Sequence, residues 1–231
     1  MKYSNIKKAT FISRPNRFIA ECFLDGEIVV AHVKNTGRCK ELLVDGATVY
    51  LDEPKGRERK TKYDLVAVEK VLDSGNVLMI NMDSGAPNDA VEEFLKKGYL
   101  FPNSTKIRRE VTKGNSRFDF CIAEGEKITY LEVKGVTLEN DGVASFPDAP
   151  TERGVKHIEE LIELKKQGFD SAIFFVIQMK GITAFRPNDK THKAFGDALQ
   201  RAKDSGVKIY AYDCIVTPET MVIDQPVEVK L

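Results

Sequence analysis

The sequence has few of the residues that build zinc sites or disulfide frameworks. Its four cysteines lie far apart, no Cys-x-x-Cys pair is present, and the three histidines do not cluster. Neither a zinc motif nor a set of disulfide bonds is therefore predicted, and we expect the thiols to be reduced. Internal repeats and low-complexity segments are also missing.

Long apolar runs are absent as well. The longest, Ala172–Ile177, is far too short to cross a bilayer, and the first residues lack the apolar core of a signal peptide. We therefore expect a cytoplasmic protein with no membrane partner. Acidic and basic residues balance at 35 each, so any surface that attracts nucleic acid must be local. The 231 residues suit one large domain or two small ones.

The stretch Ser116–Gly135 has the pattern of a two-stranded hairpin. Polar and apolar residues alternate on both sides of turn residues at Gly125–Glu126. Symmetry about this turn places Asp119 opposite Glu132. The alternation predicts an apolar face and a charged face. The first contains Phe118, Phe120, Ile122, Leu131 and Val133, and the second contains Asp119, Glu132 and Lys134.

The charged face is compatible with metal-assisted phosphodiester hydrolysis. Two opposed carboxylates repel each other unless a cation lies between them, and Mg²⁺ prefers carboxylate oxygens and water. Lys134, two residues after Glu132, could approach an attacking water or a scissile phosphate. The pattern alone leaves an alternative open, a solvated sheet face on which Arg117 and Lys134 neutralise the two acids.

Residues 1–83 are predicted to form a small β-barrel. About five short strands in roughly 80 residues suggest a closed barrel of the oligonucleotide-binding (OB) type, although other small barrels fit the pattern equally well. Two loops could contact a polyanion, and such loops are also commonly only solvated. The candidate residues are Asn35, Thr36 and Arg38 in the first loop, and Arg57, Arg59 and Lys60 in the second.

Residues 84–231 are predicted to form an α/β (α+β) domain, because strand patterns alternate with helical ones. One predicted helix, Glu152–Lys166, is capped by Thr151. Its first turns contain three candidates for contact with phosphate, since a helix N-terminus favours an anion. These are Arg153, Lys156 and His157, and a solvated helix face explains them equally well. Upstream of the hairpin, Glu110 is either a third acidic ligand or a surface glutamate.

Four phrases together carry a resemblance to a known family: HVKNTGRCKELLVDGATVYL, SRFDF, LEVKGVTL and FPDAPTERGVKHIEEL. In this combination the chain, from about Arg17 onwards, resembles the sugar fermentation stimulation protein family, SfsA. The resemblance implies an OB-like barrel followed by a restriction-endonuclease-like domain similar to the PD-(D/E)xK nucleases. It implies Asp119 and Glu132 as metal ligands, Lys134 as the motif lysine and Glu110 as the upstream acid. Phe118 stands where that motif has proline.

The resemblance also implies a function, because the family is associated with DNA binding of little sequence preference. We expect a nuclease dependent on Mg²⁺ or Mn²⁺ that cleaves DNA. The alternative is a non-catalytic DNA-binding regulatory factor linked to maltose metabolism, and either protein could be a homo-oligomer. A sugar-metabolic enzyme is least supported, because the sequence has no phosphate-binding glycine motif.

Overall fold

The N-terminal strands form the small closed barrel that the sequence predicts. The barrel closes because β3 pairs with both β2 and β5, and β6 extends the sheet beyond β5. The computed structural model describes residues 1–35, 37–54, 61–102 and 105–231. The strands are β1 (Ile6–Asn16), β2 (Ile19–Leu24), β3 (Glu27–Val33), β4 (Thr48–Asp52), β5 (Tyr63–Val71) and β6 (Val77–Asn81).

The rest of the chain is an α/β domain built on a mixed sheet of six strands in the order β15-β14-β12-β9-β8-β7. Strands β9, β12 and β14 are parallel. The sheet strands are β7 (Lys106–Lys113), β8 (Ser116–Glu124), β9 (Lys127–Val136), β12 (Asp170–Ile177), β14 (Lys208–Val216) and β15 (Met221–Pro226).

Among the described residues, three helices and a smaller sheet complete this domain. The smaller sheet has the order β10-β11-β13-β16. The helices are α1 (Ala86–Lys96), α2 (Glu152–Lys166) and α3 (Asp189–Asp204), and the strands are β10 (Leu138–Asn140), β11 (Val143–Phe146), β13 (Ala184–Pro187) and β16 (Glu228–Val229). The predicted cap of α2 is confirmed, since the Thr151 hydroxyl accepts a hydrogen bond from the Gly154 amide at 3.0 Å.

Both faces of the central strands β9 and β12 are buried, which corrects the predicted division into one apolar and one charged face. Phe120 and Leu131 pack with residues of α1 on one side. Phe118 packs on the other side, where its ring centroid lies 5.6 Å from that of Tyr130 and 6.5 Å from that of His157 on α2. The alternation therefore breaks between Phe118 and Phe120. The central strands of a sheet that has a helix on each side are covered on both faces.

Buried polar contacts connect the barrel to the α/β domain near the predicted boundary between residues 83 and 84. Gln178, which follows β12, donates through Nε2 to Asn81 O at 3.1 Å, Asn81 Oδ1 at 3.0 Å and Asp83 O at 3.2 Å. Lys70 of β5 donates to the Glu139 carboxylate of β10 at 2.5 Å. Among the described residues, no helix is long and apolar enough to cross a membrane.

Candidate active site

The hairpin formed by β8 and β9 has the register that the sequence predicts. Phe120 pairs with Leu131, and Glu124 pairs with Lys127 on either side of the turn. Asp119 lies at the next position, where Oδ2 accepts a hydrogen bond from the Val133 amide at 2.7 Å. The backbone of β9 therefore fixes the orientation of this carboxylate beside Glu132.

Asp119 is also held from outside the hairpin. Asn88, in the first turn of α1, donates its side-chain amide to Asp119 Oδ1 at 2.9 Å. Sequence reasoning missed Asn88, because an asparagine in the first turn of a helix is common and its partner lies 31 positions away. The two hydrogen bonds occupy one acceptor position on each carboxylate oxygen and leave the others available.

Glu132 is almost fully buried, with 3% of its surface exposed. Its Oε1 atom accepts a hydrogen bond from Lys134 Nζ at 2.5 Å and a second, short one from His157 Nδ1. Its Oε2 atom is buried and has no hydrogen-bond partner among the residues that the structure describes. A buried carboxylate oxygen without a partner is costly unless a cation or another donor binds it.

His157 has a different position from the one predicted. Only 6% of its surface is exposed, so it cannot be the surface contact for phosphate that its place on α2 suggested. Arg153 Nε lies 3.4 Å from His157 Nε2 in donor geometry, so the hydrogen-bond network assigns the ring proton to Nδ1, facing Glu132. The helical pattern could not reveal this, because α2 buries the side of His157 against β9.

The two acids of the hairpin have opposite pKa shifts. Burial raises the pKa of Asp119, and the neighbouring Glu132 charge raises it further. Burial would also raise the pKa of Glu132, but the hydrogen bond from His157 and the Lys134 ammonium outweigh that effect and lower it. Glu132 is thus stabilised as the anion, whereas the neighbouring Asp119 holds its proton more tightly.

Glu110 lies on β7 beside Asp119, since its two neighbours in the chain pair with the two neighbours of Asp119 on β8. Its side chain is 63% exposed, and its described partner is Arg117 at 3.8 Å. The backbone φ of 54° at Glu110 is in the left-handed region. The structure thus places Glu110 at the edge of the acidic pair rather than within it.

The remaining predicted residues lie apart from the acidic pair. Arg153 and Lys156 are exposed on α2, and Arg38 is exposed on the barrel. Asn35 accepts a hydrogen bond from the Gly37 amide at 2.8 Å through its side chain. Four predicted positions lie outside the described residues: Thr36, Arg57, Arg59 and Lys60.

The donor set fits a hard divalent cation. Asp119 and Glu132 offer carboxylate oxygens, and Glu132 Oε2 is one of three buried side-chain atoms without a partner among the described residues, the others being Arg14 Nε and Glu160 Oε2. Within the described part of the chain, no group of three or more His, Cys, Asp or Glu side chains is arranged around one cation position. Two carboxylates are nevertheless sufficient for Mg²⁺, which usually retains several waters and binds substrate oxygens.

The fold and this site together define a two-domain protein, an OB barrel followed by a restriction-endonuclease-like domain. The model of the "SfsA N-terminal OB domain" matches residues 12–79, and that of the "Sugar fermentation stimulation protein RE domain" matches residues 85–220. The chain belongs to the sugar fermentation stimulation protein (SfsA) family.

Known relatives cover the whole chain. The sugar fermentation stimulation protein homolog of Desulfitobacterium hafniense is 54% identical over 231 residues, which cover 100% of this chain and 99% of the relative. The homolog of Clostridium beijerinckii is 52% identical and is covered over 100% of both chains. The solved structure of Pyrococcus furiosus SfsA in complex with Ca²⁺ matches with a TM-score of 0.88 at 28% identity, covering 100% of this chain and 98% of that chain.

Proposed function

We propose that the protein is a nuclease that hydrolyses phosphodiester bonds in DNA with little sequence preference and depends on Mg²⁺ or Mn²⁺. The observation that carries the proposal is the buried Oε2 atom of Glu132, which lacks a partner and lies beside a second carboxylate and a lysine. A protein that only bound DNA would gain nothing from a buried and a half-buried carboxylate on its DNA-binding surface, because both would repel phosphates.

In this proposal Asp119 and Glu132 would hold the cation. A bound divalent cation lowers the pKa of a coordinated water and neutralises charge on the phosphate. The protein contributes orientation, because Asn88 and the Val133 amide fix Asp119. His157 fixes Glu132 through Oε1 and leaves Oε2 without a partner among the described residues.

Lys134 and Glu110 have supporting roles in the same proposal. Lys134 bonds Glu132 Oε1 at 2.5 Å, so its remaining N–H groups can orient a water or a phosphate oxygen. Glu110, exposed at the adjacent strand, would assist the cation from the solvent side. Arg153, Lys156 and Arg38 are exposed cations that would contact the DNA backbone.

A relative supports the choice of cation. Pyrococcus furiosus SfsA has been solved with Ca²⁺ and has the same fold. Calcium and magnesium both prefer oxygen ligands, and they differ mainly in coordination number and in the rigidity of the geometry. An oxygen-rich site for a divalent cation is therefore consistent with the carboxylate pair of this chain.

The test is a cleavage assay on single-stranded and double-stranded DNA and on RNA, with Mg²⁺, with Mn²⁺ and with chelator. We expect cleavage that depends on the metal and is lost in Glu132→Ala and in Lys134→Ala. The matched controls are Glu163→Ala and Lys166→Ala, which remove an exposed ion pair on α2 and should cleave normally. DNA retention without cleavage under any condition would reject the nuclease and support the non-catalytic DNA-binding factor.

The barrel loop is tested by the salt dependence of DNA binding. Each phosphate contact on duplex DNA contributes about 0.9 to the slope of log K against log salt concentration. We expect neutralisation of Arg57, Arg59 and Lys60 to reduce that slope. An unchanged slope would remove these residues from the proposed binding surface.

A further inference from the structure

A cleft of about 390 Å³ lies between the barrel and the α/β domain. Arg17, Asn35 and Ser84 line it on the N-terminal side, and Gly135 and Gln178 line it on the other. Gly135 follows Lys134 on β9, so the cleft borders the strand that carries Glu132. Its volume is in the range of pockets that hold small ligands.

The walls of this cleft approach too closely for larger residues at two positions. A Cβ atom at Gly135 would lie 2.4 Å from Gln178 Oε1 and 2.8 Å from the Pro87 ring. A Cβ atom at Gly37 would lie 2.0 Å from Asp148 Oδ2. Glycine at position 37 brings the barrel backbone against Asp148 of the α/β domain, and glycine at position 135 brings β9 against Gln178 and Pro87 within the α/β domain.

A buried side chain presents an acceptor to the cleft. Gln178 is 2% exposed, and its Nε2 atom donates to three acceptors around Asn81 and Asp83. These bonds fix the amide, so Oε1 points away from them and over Gly135. Oε1 accepts no hydrogen bond from any described residue. A fixed acceptor of this kind selects a ligand that carries an N–H or O–H donor.

The other lining groups suit the neutral part of a nucleotide rather than its phosphate. Among the described lining residues, one cation, Arg17, is balanced by one anion, Asp148. Phe146 also lines the cleft, and its ring packs against Phe195 at 5.1 Å between ring centroids. At the barrel end, the Arg17 guanidinium lies 4.6 Å from the centroid of the exposed Phe18 ring. The cleft thus has hydrogen-bond acceptors and an aromatic residue inside and a cation at one end. The interior matches the base and sugar of a nucleotide, and the cation matches its phosphate.

We propose that this cleft binds one unstacked nucleotide of a single-stranded nucleic acid, with its base and sugar held between the two domains at the end of β9. A duplex does not fit a cleft of about 390 Å³, because its bases are stacked and paired between two backbones. The proposal rests on the nuclease function and adds the substrate class, strands with an unpaired end or single-stranded segment.

The test measures binding in EDTA, so that it does not depend on cleavage. The probe is a fluorescein-labelled single-stranded DNA of twelve nucleotides, compared by anisotropy with a blunt hairpin of the same composition. Ala149→Trp fills the cleft from a half-buried lining position. Its control is Ser74→Trp on an exposed turn. The control for Arg17→Ala is Lys208→Ala, which removes an exposed cation far from the cleft. Lys208 pairs with Ala172 of the neighbouring strand β12, at the opposite end of that strand from Gln178.

We expect Ala149→Trp to weaken single-strand binding roughly tenfold, the loss expected for one stacked base, without changing hairpin binding. Arg17→Ala should weaken it by a smaller factor, and both controls should bind normally. Thermal unfolding verifies that each variant is folded. Unchanged single-strand binding by Ala149→Trp would overturn the proposal, as would equal losses for strand and hairpin.

Two further outcomes separate this proposal from the nuclease function. Thymidine monophosphate that competes as well as the oligonucleotide would identify a mononucleotide site and overturn the strand proposal. If Ala149→Trp weakens single-strand binding but the wild type does not cleave DNA in Mg²⁺, the binding role of the cleft is supported and the nuclease function is rejected. Normal cleavage of single strands by Ala149→Trp would support the nuclease and overturn the cleft.

Discussion

His157 Nδ1 donates a hydrogen bond to Glu132 Oε1, although the two residues are 25 positions apart in the chain. The bond links α2 to the central strand β9 and fixes the carboxylate in one orientation. Its partner oxygen, Oε2, is left buried and without a hydrogen bond among the described residues. His157 is therefore a positioning residue for the carboxylate pair, and several predictions can be tested from this arrangement.

Replacing His157 by alanine should weaken cation binding. Without the Nδ1–H donor, Glu132 keeps only Lys134 on Oε1 and loses its fixed orientation. We expect Mn²⁺ affinity, measured by calorimetry, and cleavage rate to fall roughly 10- to 100-fold, as for other groups that orient metal ligands. Lys166→Ala is the control, because this residue of the same helix is exposed and its ion pair with Glu163 lies on the helix surface at 2.6 Å. Unchanged Mn²⁺ affinity in folded His157→Ala would contradict the positioning role.

Asp119→Asn should stabilise the protein in the absence of metal. The pKa of Asp119 is raised by burial and by Glu132, so the folded protein holds this proton more tightly than the unfolded chain. The wild type therefore loses stability as the pH rises through the raised pKa, whereas asparagine does not ionise. At pH 7 in EDTA we expect the variant to melt about 3 °C higher, the shift for about 1 kcal/mol in a chain of this size.

The advantage of Asp119→Asn should disappear below the ordinary pKa of aspartate, where the wild type is protonated in both states. It should also reverse in Mn²⁺, which binds and stabilises the wild type more strongly. Melting curves at several pH values, with and without Mn²⁺, provide the measurement. A variant that is less stable than the wild type at pH 7 in EDTA would show that charge repulsion at Asp119 is not the dominant effect.

Two substitutions at Glu110 separate its backbone from its carboxylate. Because φ is 54° there, Glu110→Gly should raise the free energy of unfolding by roughly 1 kcal/mol through relief of left-handed strain. Glu110→Gln keeps that strain and should leave stability unchanged. If the carboxylate assists the cation, both variants lose cleavage to a similar extent. Full cleavage by Glu110→Gln would remove Glu110 from the proposed catalytic group.

Lys70→Met should destabilise the connection between the domains. The Lys70 and Glu139 side chains are 19% and 3% exposed and lie 2.5 Å apart, so methionine leaves a buried carboxylate without its cation. We expect a loss of about 3–5 kcal/mol in denaturant unfolding. Lys166→Met, which breaks the exposed pair with Glu163, should cost less than about 1 kcal/mol. Equal losses would show that burial does not set the strength of the Lys70 pair.

The hairpin shows how far local sequence determines this protein. Alternating residues around Gly125–Glu126 predict two strands, and the turn fixes their register, so Asp119 and Glu132 become neighbours without any distant contact. The capped helix α2 and the closed barrel were predictable for the same reason, since periodicity and capping act within a few residues of the chain.

Only the tertiary structure decided what surrounds the two acids. The alternation could not show that α1 and α2 cover opposite faces of the sheet, so Phe118 and Glu132 are buried where a charged face was expected. Asn88 and His157 reach the acids from helices 31 and 25 positions away, and no local pattern encodes such contacts. The sequence by itself determined which carboxylates are paired. Long-range packing decided which oxygen of Glu132 remains free, because burial and hydrogen bonding depend on neighbours in space.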